Sequence, residues 1–156
     1  MKAVISECRE YRYLLRRSLG SILRWYKPML FIMLNPSIAD DVQDDPTIRR
    51  VMSFAKREGA THLLVVNLFA LRSTDPSELA KHHDPVGPEN DKYVMEAIRE
   101  CQSMPIVVAW GAHPLAKTRA SEIRKMAGEL YCLGKTKDGS PRHPLYVKST
   151  QELILF

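Results

Sequence analysis

The chain has 156 residues, 45% hydrophobic and 26% charged, with a formal net charge of +5. That length and composition fit one globular domain with a full core. Every apolar stretch stops at strand length, which excludes a transmembrane helix, and no membrane partner is expected. The opening Met1–Glu7 lacks the apolar region of a signal peptide, so a cytoplasmic protein is expected. The basic balance permits a nucleic-acid or nucleotide partner without requiring one. Cys8, Cys101 and Cys132 are odd in number, far apart and without C-x-x-C spacing. They argue against a disulfide framework, a zinc site or an iron–sulfur cluster, and reduced, buried thiols are expected.

Residues 8–18 alternate aromatic and basic side chains and read as a strand, one arm of an N-terminal hairpin with strand 28–34, turning at Leu19-Gly20-Ser21. Pro28 to Leu34 is a continuous apolar run, the mark of a strand buried on both faces, and it stops at Asn35-Pro36-Ser37. Asp45-Pro46 opens a helix, with Asp45 as N-cap, Pro46 at N1, an apolar face of Ile48, Val51, Met52 and Ala55, and Gly59 at its end. Strand 62–66 follows, completing a βαβ unit. Asp75-Pro76-Ser77-Glu78 repeats the start signal for a short helix. A further helix is expected from about Pro88 to Cys101, then strand 105–110, helix 114–127, strand 129–133, a polar loop over 134–142 and a short segment near Leu145-Tyr146-Val147. The alternation implies a single α/β domain over residues 1–156, a three-layer α/β/α sandwich on a mainly parallel sheet of about four strands.

In open α/β sheets ligands bind beyond the carboxyl ends of the strands. Three strand ends here deliver polar or ring side chains: Asn35-Pro36-Ser37, Asn67, and Trp110-Gly111-Ala112-His113. An amide both donates and accepts, so Asn35 can hold a water and Asn67 can read the edge of a base. Pro36 fixes the backbone behind Asn35. Phe69 or Trp110 can stack on a ring, with membership of the core as the plain alternative for Phe69. Gly111 allows close backbone approach, ahead of a helix N-terminus. Arg72, Lys135, Lys137 and Arg142 are candidate phosphate ligands. His143, held extended by Pro144, can donate to a developing anion.

Three other features read as structural. Asp40, Asp41, Asp44 and Asp45 fit no calcium-loop spacing, and helix capping accounts for Asp45. His82, His83 and Asp84 are sequence neighbours whose side chains diverge. Gly134-Lys135-Thr136 is no P-loop, since the G-x-x-x-x-G-K pattern is absent. No metal and no cofactor are expected.

Several motifs resemble the bacterial and phage domain-of-unknown-function family 1643: Leu34-Asn35-Pro36-Ser37, Asp45 to Arg50, Val66 to Ala70, Asp84 to Pro88, Ala109-Trp110-Gly111 and Thr136 to Tyr146. More distantly, Asn35-Pro36, strand-end Asn67 and His143-Pro144 are similar, in the same order, to motifs of the uracil-DNA glycosylase superfamily. That resemblance implies the superfamily's fold. It also implies that Asn35 positions a hydrolytic water, that Asn67 reads a base and that His143 stabilises the departing base. The expected function is therefore an N-glycosidic hydrolase acting on a base in nucleic acid or a nucleotide, with Asn35 and His143 catalytic. Pro36, Ser37, Asn67, Phe69, Trp110 and Gly111 would line the base site. A non-enzymatic module recognising nucleic acid or a modified nucleotide is the alternative, and a metal-dependent enzyme using the acidic loop is a third reading.

Overall fold

The computed structural model describes residues 2–20, 25–37 and 43–156. A run such as Pro28–Met33 is stable as a strand only if both its faces are covered and both its edges are paired. The sheet supplies this. Its strands are β1 (Lys2–Ile5), β2 (Arg12–Ser18), β3 (Pro28–Met33), β4 (His62–Asn67), β5 (Val107–Val108), β6 (Tyr131–Cys132) and β7 (Ile154–Leu155), in spatial order β1-β2-β4-β3-β5-β6-β7. All six residues of β3 are buried. β3 pairs parallel with β4 from Pro28↔His62 to Met33↔Asn67, and parallel with β5 on its other side.

The expected sheet of about four mainly parallel strands is thereby corrected. Seven strands form a mixed sheet: β4, β3, β5 and β6 run parallel at its centre, while β1, β2 and β7 join antiparallel. The extra strands are short or exposed; β1 has four residues, β7 has two, and neither carries a long apolar signature. β2 does form a hairpin, but with β1, and it also pairs with β4. Strand β3 cannot be its partner, because β4 and β5 already occupy both of its edges. The expected strands 105–110 and 129–133 are regular over two residues each. Single bonds from Ala109 N to Ile32 O and from Tyr131 N to Ile106 O, both 2.9 Å, prolong their pairing.

Helices cover both faces. Helix α1 (Pro46–Arg57) packs Ile48, Val51 and Phe54 on Met29, Phe31, Met33, Leu63 and Val65. On the other face, α2 (Asn90–Glu100) brings Val94, Ala97 and Ile98, and α3 (Ala116–Ala127) brings Ala120 and Ile123, against Leu30, Ile32, Leu64, Val66 and Val108. Helix α1 begins as its sequence predicts: Asp45 Oδ1 accepts from Ile48 N at 2.7 Å and Pro46 takes the first turn. The short Asp75-capped segment is a 3₁₀ turn over Pro76–Ala80, and a second such turn spans Pro144–Tyr146. Among the described residues no helix is long and apolar enough to cross a membrane.

Candidate functional site

Strand side chains alternate between faces, so residues two apart share one. Met33 and Val65 belong to the face covered by α1. Two residues further on, past the last core side chain of each strand, stand Asn35 and Asn67. Helix α1 starts at that height, and a cavity of about 250 Å³ opens between them. Its floor is Met33, Ile48 and Val65; Arg12, Asn35, Ser37, Asp45, Thr47, Asn67, Ser73, Thr74, Trp110 and His143 are among its walls. Four of the side chains singled out from sequence at separate strand and loop ends, Asn35, Asn67, Trp110 and His143, thus share one cavity, together with Ser37.

Asn67 is 2% exposed, yet among the described residues its side-chain amide makes no hydrogen bond. Asn67 lines the cavity, so its amide, which both donates and accepts, is open to a polar ligand there. Its backbone is held firmly instead. Asn90 Nδ2 donates to the carbonyls of Asn67 and Leu68 at 3.0 and 3.2 Å, and Arg119 Nε donates to Leu68 O at 2.9 Å. Arg119 is anchored in turn by Asp91 and Glu122.

Asn35 donates from Nδ2 to Ser73 O at 2.9 Å and to Pro36 O at 3.2 Å. With its donor engaged, Oδ1 is the acceptor it can offer to a water or ligand. Ser37 donates its hydroxyl to Asp45 Oδ2, so the helix cap also fixes the turn after Asn35.

His143 caps its own 3₁₀ turn, Nδ1 accepting from Leu145 N at 3.4 Å. That bond places the ring proton on Nε2. Burial lowers the imidazole pKa from its ordinary 6.5, against a smaller raising effect of Asp45. His143 is therefore a neutral Nε2–H donor at neutral pH. Trp110 is 4% exposed and meets Phe156 edge-on, with centroids 5.6 Å apart, so its indole is a fixed wall.

The other candidates lie around this cavity without lining it. Pro36 is buried in the turn, its carbonyl accepting from Ser73 N at 3.0 Å. Phe69 is in the core on the α2 and α3 side. Gly111, at φ +75°, lies against His143 and donates its N–H to Pro141 O at 2.9 Å. Arg72 reaches Arg9 O at 3.1 Å. Lys135, Lys137 and Arg142 are exposed on the loop that leads into His143, and Arg142 Nε donates to Lys135 O at 3.1 Å. Of the acidic loop, Asp40 and Asp41 lie outside the described residues. Asp44 pairs with the buried Arg17 at 2.6 Å. Among the described residues no group of three or more metal-ligating side chains exists. His82 accepts from Asp84 N at 3.1 Å, and Asp84 O accepts from Tyr11 Oη at 3.0 Å, which are structural roles. Cys101 and Cys132 are buried, with burial pushing the Cys101 thiol up to about 12 and raising Cys132; neither is a nucleophile at neutral pH. Cys8, expected to be buried, is exposed.

Sequence reasoning missed Arg12, Thr47, Ser73 and Thr74. The signal for Arg12 was present, a cation within a strand of aromatic and apolar residues, but nothing in the pattern says which strand cations turn inward.

A family model described as "Protein of unknown function (DUF1643)" matches residues 12–145. The chain belongs to this family. No curated protein and no solved structure matches it. Within DUF1643, the matched segment, residues 12–145, contains every residue lining the cavity, from Arg12 to His143.

Proposed function

We propose that this protein is an N-glycosidic hydrolase whose cavity holds a nucleobase, in nucleic acid or in a nucleotide. The observation that carries the reading is the amide of Asn67, which lines one cavity with a neutral imidazole donor and a fixed indole wall. An amide that both donates and accepts suits the mixed edge of a base. Trp110 supplies a ring face, and a base reaching the cavity from a duplex would be flipped out of the stack. The similarity of Asn35-Pro36, Asn67 and His143-Pro144 to glycosylase motifs supports the same assignment.

In this mechanism Asn35 Oδ1 orients the attacking water. The water oxygen bonds to the anomeric carbon, the carbon–nitrogen bond breaks, and the base leaves with the bonding electron pair. The water's proton ends on the base. His143 Nε2–H faces the negative charge as it develops, which lowers the barrier because a fixed donor in a dry site needs no reorganisation. Ser37 and Pro36 hold Asn35 in register. Lys135, Lys137, Arg142 and Arg72, outside the cavity, would meet phosphates at its rim.

The test is base release measured by mass spectrometry, using oligonucleotides with uracil, mismatched or modified bases and free nucleotides. Release is expected from at least one substrate. Asn35→Ala should lower it by about 100-fold or more, since a misplaced water costs that much. Release unchanged in Asn35→Ala rejects the mechanism. Tight, salt-sensitive binding without release would instead identify a recognition module.

A further inference from the structure

Trp110 stands just past β5, whose regular pairing covers only Val107–Val108, and Gly111 after it has φ +75°. Strand pairing therefore does little to fix the indole, and the side chains that touch it must do so. The indole is also a wall of two cavities. One is the strand-end cavity of about 250 Å³. The other, of about 210 Å³, opens between α3 and residues 138–141, with Ala120, Arg124, Pro141 and Phe156 among its walls. A ring that borders space in two places lacks packing atoms there, so its remaining contacts decide where it stands.

Phe156 supplies such a contact. Its ring centroid is 5.6 Å from that of Trp110 with the planes 85° apart, the perpendicular arrangement that aromatic pairs favour. Phe156 is itself held by two elements. Its N–H donates to Leu130 O at 2.8 Å, continuing the antiparallel pairing of β7 with β6. The Arg124 guanidinium of α3 lies over its ring, with Cζ 4.3 Å from the centroid, where the ring quadrupole attracts a cation. Phe156 lies beyond the matched residues 12–145, so this support is a feature of the chain outside the family segment.

We infer that Phe156 is a positioning residue for the strand-end cavity: it holds the Trp110 indole in place as that cavity's flat wall. Phe156 does not line the cavity, so it acts through Trp110 and not on the ligand. The effect on a ligand rests on the nucleobase reading above. A base that stacks on the indole binds best when the ring plane is already set, because ordering a loose wall costs part of the binding energy. β7, only two residues long and exposed, thereby gains a role: it brings Phe156 to the indole.

The experiment uses the full chain carrying Trp25→Phe. The sequence has two tryptophans and Trp25 is exposed, so this change leaves Trp110 as the one indole. Fluorescence anisotropy decay reads the motion of Trp110. Calorimetric titration with free uracil, hypoxanthine, cytosine and adenine reads base affinity, and thermal melts check folding. In the parent protein the indole should turn only with the whole molecule. Phe156→Ala should add a fast local component and weaken base binding by about threefold to tenfold, the worth of an aromatic pair. Phe156→Tyr should keep the parent's behaviour in both. Phe156→Leu, with apolar bulk but no ring, should follow Phe156→Ala. Indole motion unchanged in folded Phe156→Ala overturns the assignment, as does a freed indole with base affinity unchanged. Should Phe156→Ala not fold, Phe156→Leu against Phe156→Tyr decides by the same two readouts. Folded parent protein that binds none of the four bases rejects the nucleobase reading, and the anisotropy then decides the role of Phe156 by itself.

Discussion

The imidazole of His143 ties chemistry to stability through one proton. Burial lowers its folded-state pKa below the 6.5 of the unfolded chain. Above 6.5 the ring is neutral in both states and its environment costs nothing. As pH falls from there toward the folded value, the unfolded chain binds a proton that the folded protein does not, and stability declines; below the folded value the loss is complete. The melting temperature should therefore fall on acidification below about pH 6.5, and His143→Gln should flatten that limb. An acid limb as steep in His143→Gln would show that other groups produce it. At the same scale, Asn35, Asn67 and Trp110 were legible from sequence because each directly follows a buried run, where chain direction fixes the height in the fold, and His143 because Pro144 directly after it holds it extended. Arg12 was not, because a strand cation can face solvent or cavity, and only the neighbouring strands decide.

Elements pass their tolerances to the site through loops, and the loop ahead of α2 is the tightest. Gly87 has φ +87°, and a side chain there would begin 2.8 Å from the Tyr11 ring and 3.2 Å from that of Tyr13. Tyr11 stacks on Tyr13 at 6.0 Å, and Tyr13 on Tyr93 of α2 at 5.2 Å, so the rings have little room to retreat. Gly87→Ala adds left-handed strain of about 1–2 kcal/mol to that overlap. The melting temperature should drop by about 4–8 °C, which differential calorimetry reads directly. A loss under about 2 °C would mean that the loop relaxes freely. α1 was legible almost to the residue, since Asp45-Pro46 is a cap signal with its own mechanism. β5 and β6 stand inside the strands expected there but are shorter, and β7 was not expected, because two-residue strands owe their existence to the partner already in place rather than to local preference.

At the scale of the whole molecule, the excess of positive charge bears on whether the ligand is a polymer. The net charge is +5, and the cavity itself contributes one buried cation, Arg12; Lys135, Lys137 and Arg142 stand outside it on a single exposed loop. Cations that meet a nucleic-acid backbone release counterions, and log K falls with log salt at about −0.7 per phosphate on a single strand. Three such contacts give a slope of about −2, so raising salt from about 50 to 200 mM should weaken oligonucleotide binding by about 15-fold. A free base makes no phosphate contact, so its affinity should move little over the same range. Replacing Lys135, Lys137 and Arg142 together by Ala should flatten the oligonucleotide slope and leave base binding intact, because none of the three lines the cavity. A wild-type slope near zero, with base binding retained, would remove the polymer from the reading and leave a monomeric nucleotide as the ligand. A steep slope unaffected by the triple replacement would move the backbone track to another face of the molecule.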